Sequence, residues 1–194
     1  MNKGKQTPWE RIRTASGPDL GLFRVRFDWM RNPRNAHTVK ATILESPDWV
    51  NVVALTPEGK VVVVRQYRFG AQQMRTEIPA GIIDPGETSE EAAARELREE
   101  TGYTSKEWEY LGYVEPNPAF LDNRCHHWAA RNAVQTSQPA LDEGEHVSVG
   151  EMSLDEIRRE IEEGRFQHAL SLTALAHVFD LRALLAKRRQ LVSP

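Results

Sequence analysis

The chain has 194 residues, with 25 Lys and Arg against 28 Asp and Glu, a formal net charge of −3. Hydrophobic residues make up 40% and charged residues 27%, proportions of a folded globular protein that exclude fibrous and disordered classes. The charge balance excludes a chain-wide basic field for nucleic acid, and no apolar run approaches the ~18 residues that a membrane span needs. Because Cys125 has no second cysteine to pair with, we expect a cytoplasmic protein.

The first half of the chain carries strand signals. Four segments show the alternating or β-branched pattern that predicts strands: 23–27, 38–44, 50–55 and 60–64. Thr56-Pro57-Glu58-Gly59 between the last two is typical of a hairpin turn. Residues 1–20 have no periodic pattern, and we predict that they are loosely held.

The second half combines helices with strands. Thr88 and Glu91 form a capping box and Gly102 a left-handed stop, which together predict a helix between them. A second capping box at Ser153 predicts a helix that ends near Gly164. Two strands, 108–114 and 125–134, and a last helix, 169–189, complete the prediction, the helix with an apolar face of Leu172, Leu175, Ala176 and Phe179. These elements predict an α/β fold with a mixed sheet.

One predicted helix carries a concentrated set of carboxylates. Glu96, Glu99 and Glu100 are three and four residues apart, so they share one helical face, where like charges destabilise a helix by about 0.2–0.5 kcal/mol per pair. A bound divalent cation would reverse that repulsion, and Mg²⁺ and Mn²⁺ both prefer oxygen ligands. The alternative interpretation is a solvated acidic helix whose glutamates pair with Arg95 and Arg98.

The full pattern around these glutamates resembles the Nudix box. The segment reads Gly81, five residues, Glu87, seven residues, and then the run from Arg95 to Tyr103, RELREETGY. Every fixed position of the box is matched, with Tyr103 in a slot that is more often aliphatic. So many fixed positions make a specific signal, unlike a lone glycine triplet.

The resemblance implies a Nudix-type α/β/α sandwich that uses a divalent cation to hydrolyse a nucleoside diphosphate linked to another group. It implies that Glu96, Glu99 and Glu100 hold the metal together with the carbonyl of Ala80, Glu100 also being counted as catalytic. It further implies that Arg95 orients these glutamates and that Glu87 supports the loop by pairing with Arg95. Mg²⁺ is the expected cofactor, with Mn²⁺ as the alternative.

Flanking residues resemble the ADP-ribose pyrophosphatase subgroup of that superfamily. Pro118 lies fifteen residues beyond Tyr103, at the position of a marker proline, although Asn117 and Ala119 replace the usual serine and glycine. Arg68 ends a segment, VRQYR, that matches a strand whose final arginine contacts the substrate phosphates. The alternative interpretations are a rigid turn at Pro118 and an exposed strand arginine at Arg68.

Three further features bear on the expected site. The acidic loop 141–147 resembles the subgroup's catalytic loop, which implies that Glu143 is the base that activates water, with Glu145 as its neighbour; a solvated acidic turn is the alternative. Trp49 is a candidate for stacking on the nucleobase, although a core or dimer-interface tryptophan accounts for it equally well. Cys125-His126-His127 alternate across a strand, so we predict packing there and no metal site.

The resemblance also implies the organisation and activity of the chain. Residues 1–46 are expected to form a small antiparallel β extension that joins a homodimer, and residues 47–194 the Nudix domain. The expected reaction cleaves the pyrophosphate bond of ADP-ribose or a related nucleoside diphosphate sugar, giving a nucleoside monophosphate and a sugar phosphate. Two alternatives stay open: a non-catalytic ADP-ribose sensor, and a hydrolase of nucleoside triphosphates or dinucleoside polyphosphates. The expected partner is the nucleotide sugar, with no nucleic acid and no membrane.

Overall fold

A computed structural model of the chain describes residues 7–141, 144 and 146–180. Its strands are β1 Glu10–Asp19, β2 Arg24–Arg31, β3 Thr38–Glu45, β4 Trp49–Ala54, β5 Val61–Arg68, β6 Gln73–Glu77, β7 Ala80–Ile82, β8 Tyr103–Thr104, β9 Glu107–Val114, β10 Cys125–Arg131, β11 Val134–Gln135 and β12 Val147–Met152. Its helices are α1 Ser89–Thr101, α2 Leu154–Glu162 and α3 Ala169–Val178. None of the helices within these described ranges is long and apolar enough to cross a membrane.

The chain divides into two compact units. The N-terminal unit contains the described residues up to Pro47 together with Glu115–Arg124, and the main unit contains Asp48–Val114 and the described residues from Cys125 onward. In the N-terminal unit, β1, β2 and β3 form an antiparallel sheet in that order.

The prediction that residues 1–20 are loosely held is wrong for β1. This strand pairs along β2, and a Cβ on Gly17 would lie 2.9 Å from atoms of Phe27 and Val25, so glycine permits the close approach. Because charged residues and a Gly-Pro pair interrupt any alternation in β1, its strand conformation depends on the partner strand and not on local pattern.

The main unit contains a mixed sheet, as predicted. One sheet has the order β7-β4-β10-β9, in which β4 and β10 run parallel and the other pairs antiparallel. A second sheet has the order β12-β5-β6, and β8 pairs with β11. The strand predicted over 125–134 is shorter, because the chain turns at Asn132, whose φ is 51°, and then forms β11.

Alternate residues of β4 pack against helices on opposite sides of the sheet. Val50, Val52 and Ala54 pack with Ala92, Ala93 and Leu97 of α1 in one apolar cluster. Val53 belongs to a second cluster, which contains Ala174 and Leu175 of α3 and Ile157 of α2. Helices therefore cover both faces, and the sheet lies between them.

The helix ends follow the sequence signals where those signals are local. Both predicted capping boxes are present, at Thr88 and at Ser153, and Gly102 ends α1 with a φ of 74°. The predicted apolar face of α3 is wrong at Ala176, which is exposed. The buried residues of this helix are Ser171, Ala174 and Leu175. The predicted helix residues 181–189 lie outside the described ranges.

Candidate active site

Two glutamates of α1 lie against strand β7. The backbone N–H of Ala80 donates to Oε2 of Glu100 at 3.0 Å, and Glu100 is 4% exposed. A Cβ on Gly81 would lie 1.9 Å from the carboxyl carbon of Glu96, so only glycine leaves room for that carboxylate. The first glycine of the predicted box therefore has a steric reason.

The guanidinium of Arg95 organises the acidic end of the site. Its Nε and Nη2 each donate to Glu87 at 3.0 Å, which confirms the predicted pair, and Nη2 also donates to the carbonyl of Ile82 at 2.8 Å. Its Nη1 donates to Glu96 at 2.8 Å and to Glu99 at 3.2 Å. These hydrogen bonds hold the pKa of Glu87 below its ordinary value and raise that of Arg95. Two neighbouring carboxylates thus share one cationic nitrogen.

The donor chemistry of this face suits a hard divalent cation. Glu96, Glu99 and Glu100 supply carboxylate oxygens, the ligands that Mg²⁺ and Mn²⁺ prefer, and the backbone of Ala80 lies beside Glu100. Within the described residues, no three aspartate, glutamate, histidine or cysteine side chains already lie close enough together to hold one metal ion. A cation bound at this face would therefore compete with Arg95 for the oxygens of Glu96 and Glu99.

Arg68 lies next to this acidic face through a partner that the sequence analysis missed. Its Nε donates at 2.9 Å to Oε1 of Glu77, and its Nη2 donates to Oε2 of the same carboxylate, which has no solvent exposure. The pKa of Arg68 is raised, chiefly by these hydrogen bonds and in smaller part by the charge of Glu100. The sequence offered one signal for this partner: Glu77 directly precedes the apolar run Ile78-Pro79-Ala80, where a buried carboxylate needs a cation.

His168 extends this buried network from the start of α3. Its Nδ1 lies 2.8 Å from Oγ of Ser171 and 3.3 Å from Oε2 of Glu77. Oγ of Ser171 also accepts the backbone N–H of Ile78 at 3.2 Å. The pKa of His168 is lowered, chiefly because burial disfavours the charged ring. No local pattern in the sequence connects His168 with Glu77, since they lie far apart along the chain.

Tyr103, the unusual residue of the predicted box, has its own partner. Its hydroxyl donates to Oε1 of Glu151 at 2.7 Å, and Oε2 of Glu151 accepts from Nζ of Lys60 at 3.2 Å. Burial, together with the hydrogen bond and charge of Glu151, raises the pKa of Tyr103 to about 12. The phenol thus joins the end of α1 to β12, a link that an aliphatic residue cannot make.

The remaining predicted site residues are placed as follows. Trp49 opens β4, half-buried, paired in register with Ile82 on β7 and Cys125 on β10. Pro118 belongs to the N-terminal unit. Glu143 and Glu145 lie outside the described residues. The structure brings together the following predicted residues of the main unit: Ala80, Arg95, Glu96, Glu99, Glu100 and, through Glu77, Arg68.

The Cys125-His126-His127 segment packs on alternate sides of β10, as predicted. Cys125 and His127 are fully buried, whereas Nδ1 of His126 lies 2.9 Å from the hydroxyl of Tyr110. Neither ring nitrogen of His127 has a hydrogen-bond partner in the described part of the chain. Burial lowers the pKa of His127 to about 4 and raises that of Cys125 to about 12.

Known proteins resemble this chain over most of its length. The NUDIX domain family matches residues 46–174. A methanol dehydrogenase activator from Bacillus methanolicus is 37% identical over 90% of this chain and 95% of the relative. An ADP-ribose pyrophosphatase from Bacillus subtilis (strain 168) is 34% identical over 79% of this chain and 84% of the relative. The crystal structure of an ADP compounds hydrolase superposes with a TM-score of 0.79 at 22% identity, covering 95% and 98% of the two chains, which confirms the predicted α/β/α fold.

Proposed function

The chain belongs to the Nudix family, and from that premise we propose that it hydrolyses the pyrophosphate bond of ADP-ribose or a related nucleoside diphosphate sugar. The products are a nucleoside monophosphate and a sugar phosphate. The observation that carries the proposal is the carboxylate face of α1 beside β7. Arg95 binds Glu96 and Glu99 on this face, and Gly81 of β7 leaves room for the carboxylate of Glu96. Similarity to ADP-ribose pyrophosphatases supports the choice of substrate class.

We propose that Mg²⁺, with Mn²⁺ as the alternative, is held by Glu96, Glu99, Glu100 and the carbonyl of Ala80. When bound, the cation supplies neutralisation of phosphate charge and a position for the attacking water. Arg95 keeps the two carboxylates that it contacts close together, so the charge they present is concentrated before any substrate arrives.

Arg68 supplies positive charge to the site. Its Nε and Nη2 donate to the carboxylate of Glu77, which leaves its Nη1 to donate to a phosphate oxygen. Because Glu77 has no contact with solvent, Arg68 is held at low conformational cost. The proposed roles of Glu143 as base, with Glu145 as the other candidate, of Trp49 in base stacking and of Pro118 as the subgroup marker rest on resemblance.

Replacing Glu100 by Gln tests the metal-dependent assignment. We expect turnover with Mg²⁺ to fall at least about 100-fold, because one ligand charge is lost beside the reacting phosphate. Glu90→Gln is the matched control, since Glu90 lies exposed on the same helix. Near-normal turnover in Glu100→Gln would contradict the assignment.

A substrate screen separates the proposed function from its alternatives. ADP-ribose, ADP-glucose, GDP-mannose, NADH and nucleoside triphosphates are incubated with Mg²⁺ or Mn²⁺, and phosphate-containing products are quantified. A preference for the nucleoside diphosphate sugars is expected. A clear preference for triphosphates would reject the proposal, and binding of ADP-ribose without product after long incubation would indicate a sensor.

We also propose that residues 1–46 join two chains in a homodimer and that the protein acts in the cytoplasm. Exposed apolar side chains on the N-terminal unit support the first proposal: Trp9 is 46% and Ile12 43% exposed. The free, buried Cys125 supports the second. Light scattering of the full chain should give twice the 22.1 kDa chain mass; a monomer at micromolar concentration would refute the dimer.

A further inference from the structure

A cleft of about 340 Å³ lies beside the Arg68–Glu77 pair. The polar side chains that line it come from β5, β6 and the segment before α3: Arg68, Arg75, Glu77, Gln167 and His168. Because Glu77 lies three residues before Ala80, whose N–H donates to Glu100, the cleft adjoins the carboxylate face of α1. A ligand that contacts both must be compatible with the positive charge of the arginines in the cleft and with the negative charge of the carboxylates on α1.

Arg75 is a cation without a partner in this cleft. The β5–β6 register pairs Gln66 with Arg75 and Val64 with Glu77, which places Arg75 on the same face of the hairpin as Arg68 and Glu77. Its side chain is half-buried, and it forms no ion pair or hydrogen bond with any residue in the described ranges. A partly desolvated guanidinium with no carboxylate partner favours an anionic ligand.

His168 adds a ring nitrogen to the same wall. Its Nδ1 lies 2.8 Å from Oγ of Ser171 and 3.3 Å from Oε2 of Glu77, so the fold occupies that nitrogen. Nε2, on the edge of the ring turned away from Ser171, can form a hydrogen bond with a hydroxyl group in either neutral tautomer. The lowered pKa of His168 agrees with a neutral ring. Because Glu77, the one carboxylate of the cleft, already binds Arg68, the cleft suits a ligand with an anionic group and hydroxyl groups.

We propose that this cleft binds the sugar-phosphate half of the substrate, with Arg75 donating to its phosphoryl oxygens and with Nε2 of His168 and the side chain of Gln167 hydrogen-bonded to its sugar hydroxyls. The identity of the sugar phosphate rests on the proposed function. The ligand chemistry, a phosphoryl group joined to a sugar rich in hydroxyl groups, follows from the cation and the polar side chains of the cleft. In the intact substrate this phosphoryl group is one of the two in the scissile pyrophosphate.

Calorimetric titration of the full chain with ribose 5-phosphate, in the absence of any substrate, tests the cleft directly. We expect Arg75→Gln to weaken binding about tenfold, the effect of losing a hydrogen bond to a charged group, and His168→Phe to weaken it about threefold, the effect of losing one to a neutral hydroxyl. His168→Gln keeps a hydrogen-bonding group and should bind more tightly than His168→Phe. Arg65→Gln is the matched control, because Arg65 is exposed on the opposite face of the same hairpin.

The outcomes separate a built subsite from general charge attraction. Unchanged binding in Arg75→Gln, or equal weakening in Arg65→Gln and Arg75→Gln, would overturn the proposal. Titration with inorganic phosphate adds a second arm: tighter binding of ribose 5-phosphate than of phosphate supports sugar contacts by Gln167, and equal binding overturns that assignment.

Turnover measurements distinguish this proposal from the proposed function. With ADP-ribose, Arg75→Gln should lower kcat/KM at least about tenfold, because Arg75 contacts a phosphoryl group of the scissile pyrophosphate. Unchanged kcat/KM together with unchanged binding of ribose 5-phosphate would refute the subsite while the activity stands. Failure to hydrolyse any nucleoside diphosphate sugar would refute the activity, and the titration would still decide the subsite.

Discussion

Replacing Gly81 by Ala should uncouple activity from stability. The added methyl would lie 1.9 Å from Cδ and Oε1 of Glu96 and 2.4 Å from Oε2. Because non-bonded carbon atoms sit about 3.5–4.0 Å apart, the carboxylate must withdraw by roughly 2 Å. A misplacement of about 1 Å at a catalytic site can cost about 100-fold in rate, so we expect at least that loss in kcat/KM.

Stability should change little, because the displaced atoms are the end of a flexible side chain. Gly81 is not among the glycines with positive φ, so alanine fits its backbone, and we expect about 1 kcal/mol of destabilisation or less. The assay pairs kcat/KM for the best substrate with the thermal midpoint. Gly150→Ala in β12 is the control, since its new methyl would lie 3.8 Å from the nearest atom of Val63. Near-normal kcat/KM, or loss of folded protein, in Gly81→Ala would refute this reasoning.

Two further predictions concern stability. His127 is neutral in the fold, with a pKa of about 4 against an ordinary 6.5, so the unfolded chain binds the extra proton and stability falls as pH drops through this range. This group should contribute a loss of about 3 kcal/mol between pH 6.5 and 4, measured by urea unfolding; the same pH dependence in His127→Leu would contradict it. Tyr103→Phe removes the hydrogen bond to Glu151 and should cost about 1–2 kcal/mol by the same method. Tyr67→Phe, at a 47% exposed tyrosine, is its control, and equal effects of the two substitutions would show that the Glu151 contact is not the cause.

Local signals predicted the helix of the site well. Thr88, Glu91 and Gly102 act within one helical turn of the ends they define, so the sequence alone locates α1 and with it the face that carries the glutamates. The Arg95–Glu87 pair was predictable for a related reason, because the family pattern preserves the spacing that brings the two side chains together.

Contacts between distant segments were not predictable in this way. β1 has no alternating pattern, and its conformation follows from pairing with β2. The network of Arg68, Glu77 and His168 joins the β5–β6 hairpin to the start of α3, so no window of sequence contains all its members. Burial of Glu77 is a property of the assembled core, and its need for a cation becomes visible only there.

The contacts of Arg95 have a consequence for how the protein exists between catalytic cycles. A single guanidinium already offsets the mutual repulsion of Glu96 and Glu99, so the fold has an internal counter-ion for the charges that a divalent cation would otherwise have to neutralise. We therefore expect folding not to depend on metal supply, unlike in small domains that unfold when their ion is removed. A cation held by these glutamates would then be exchangeable, while the protein around it keeps its shape.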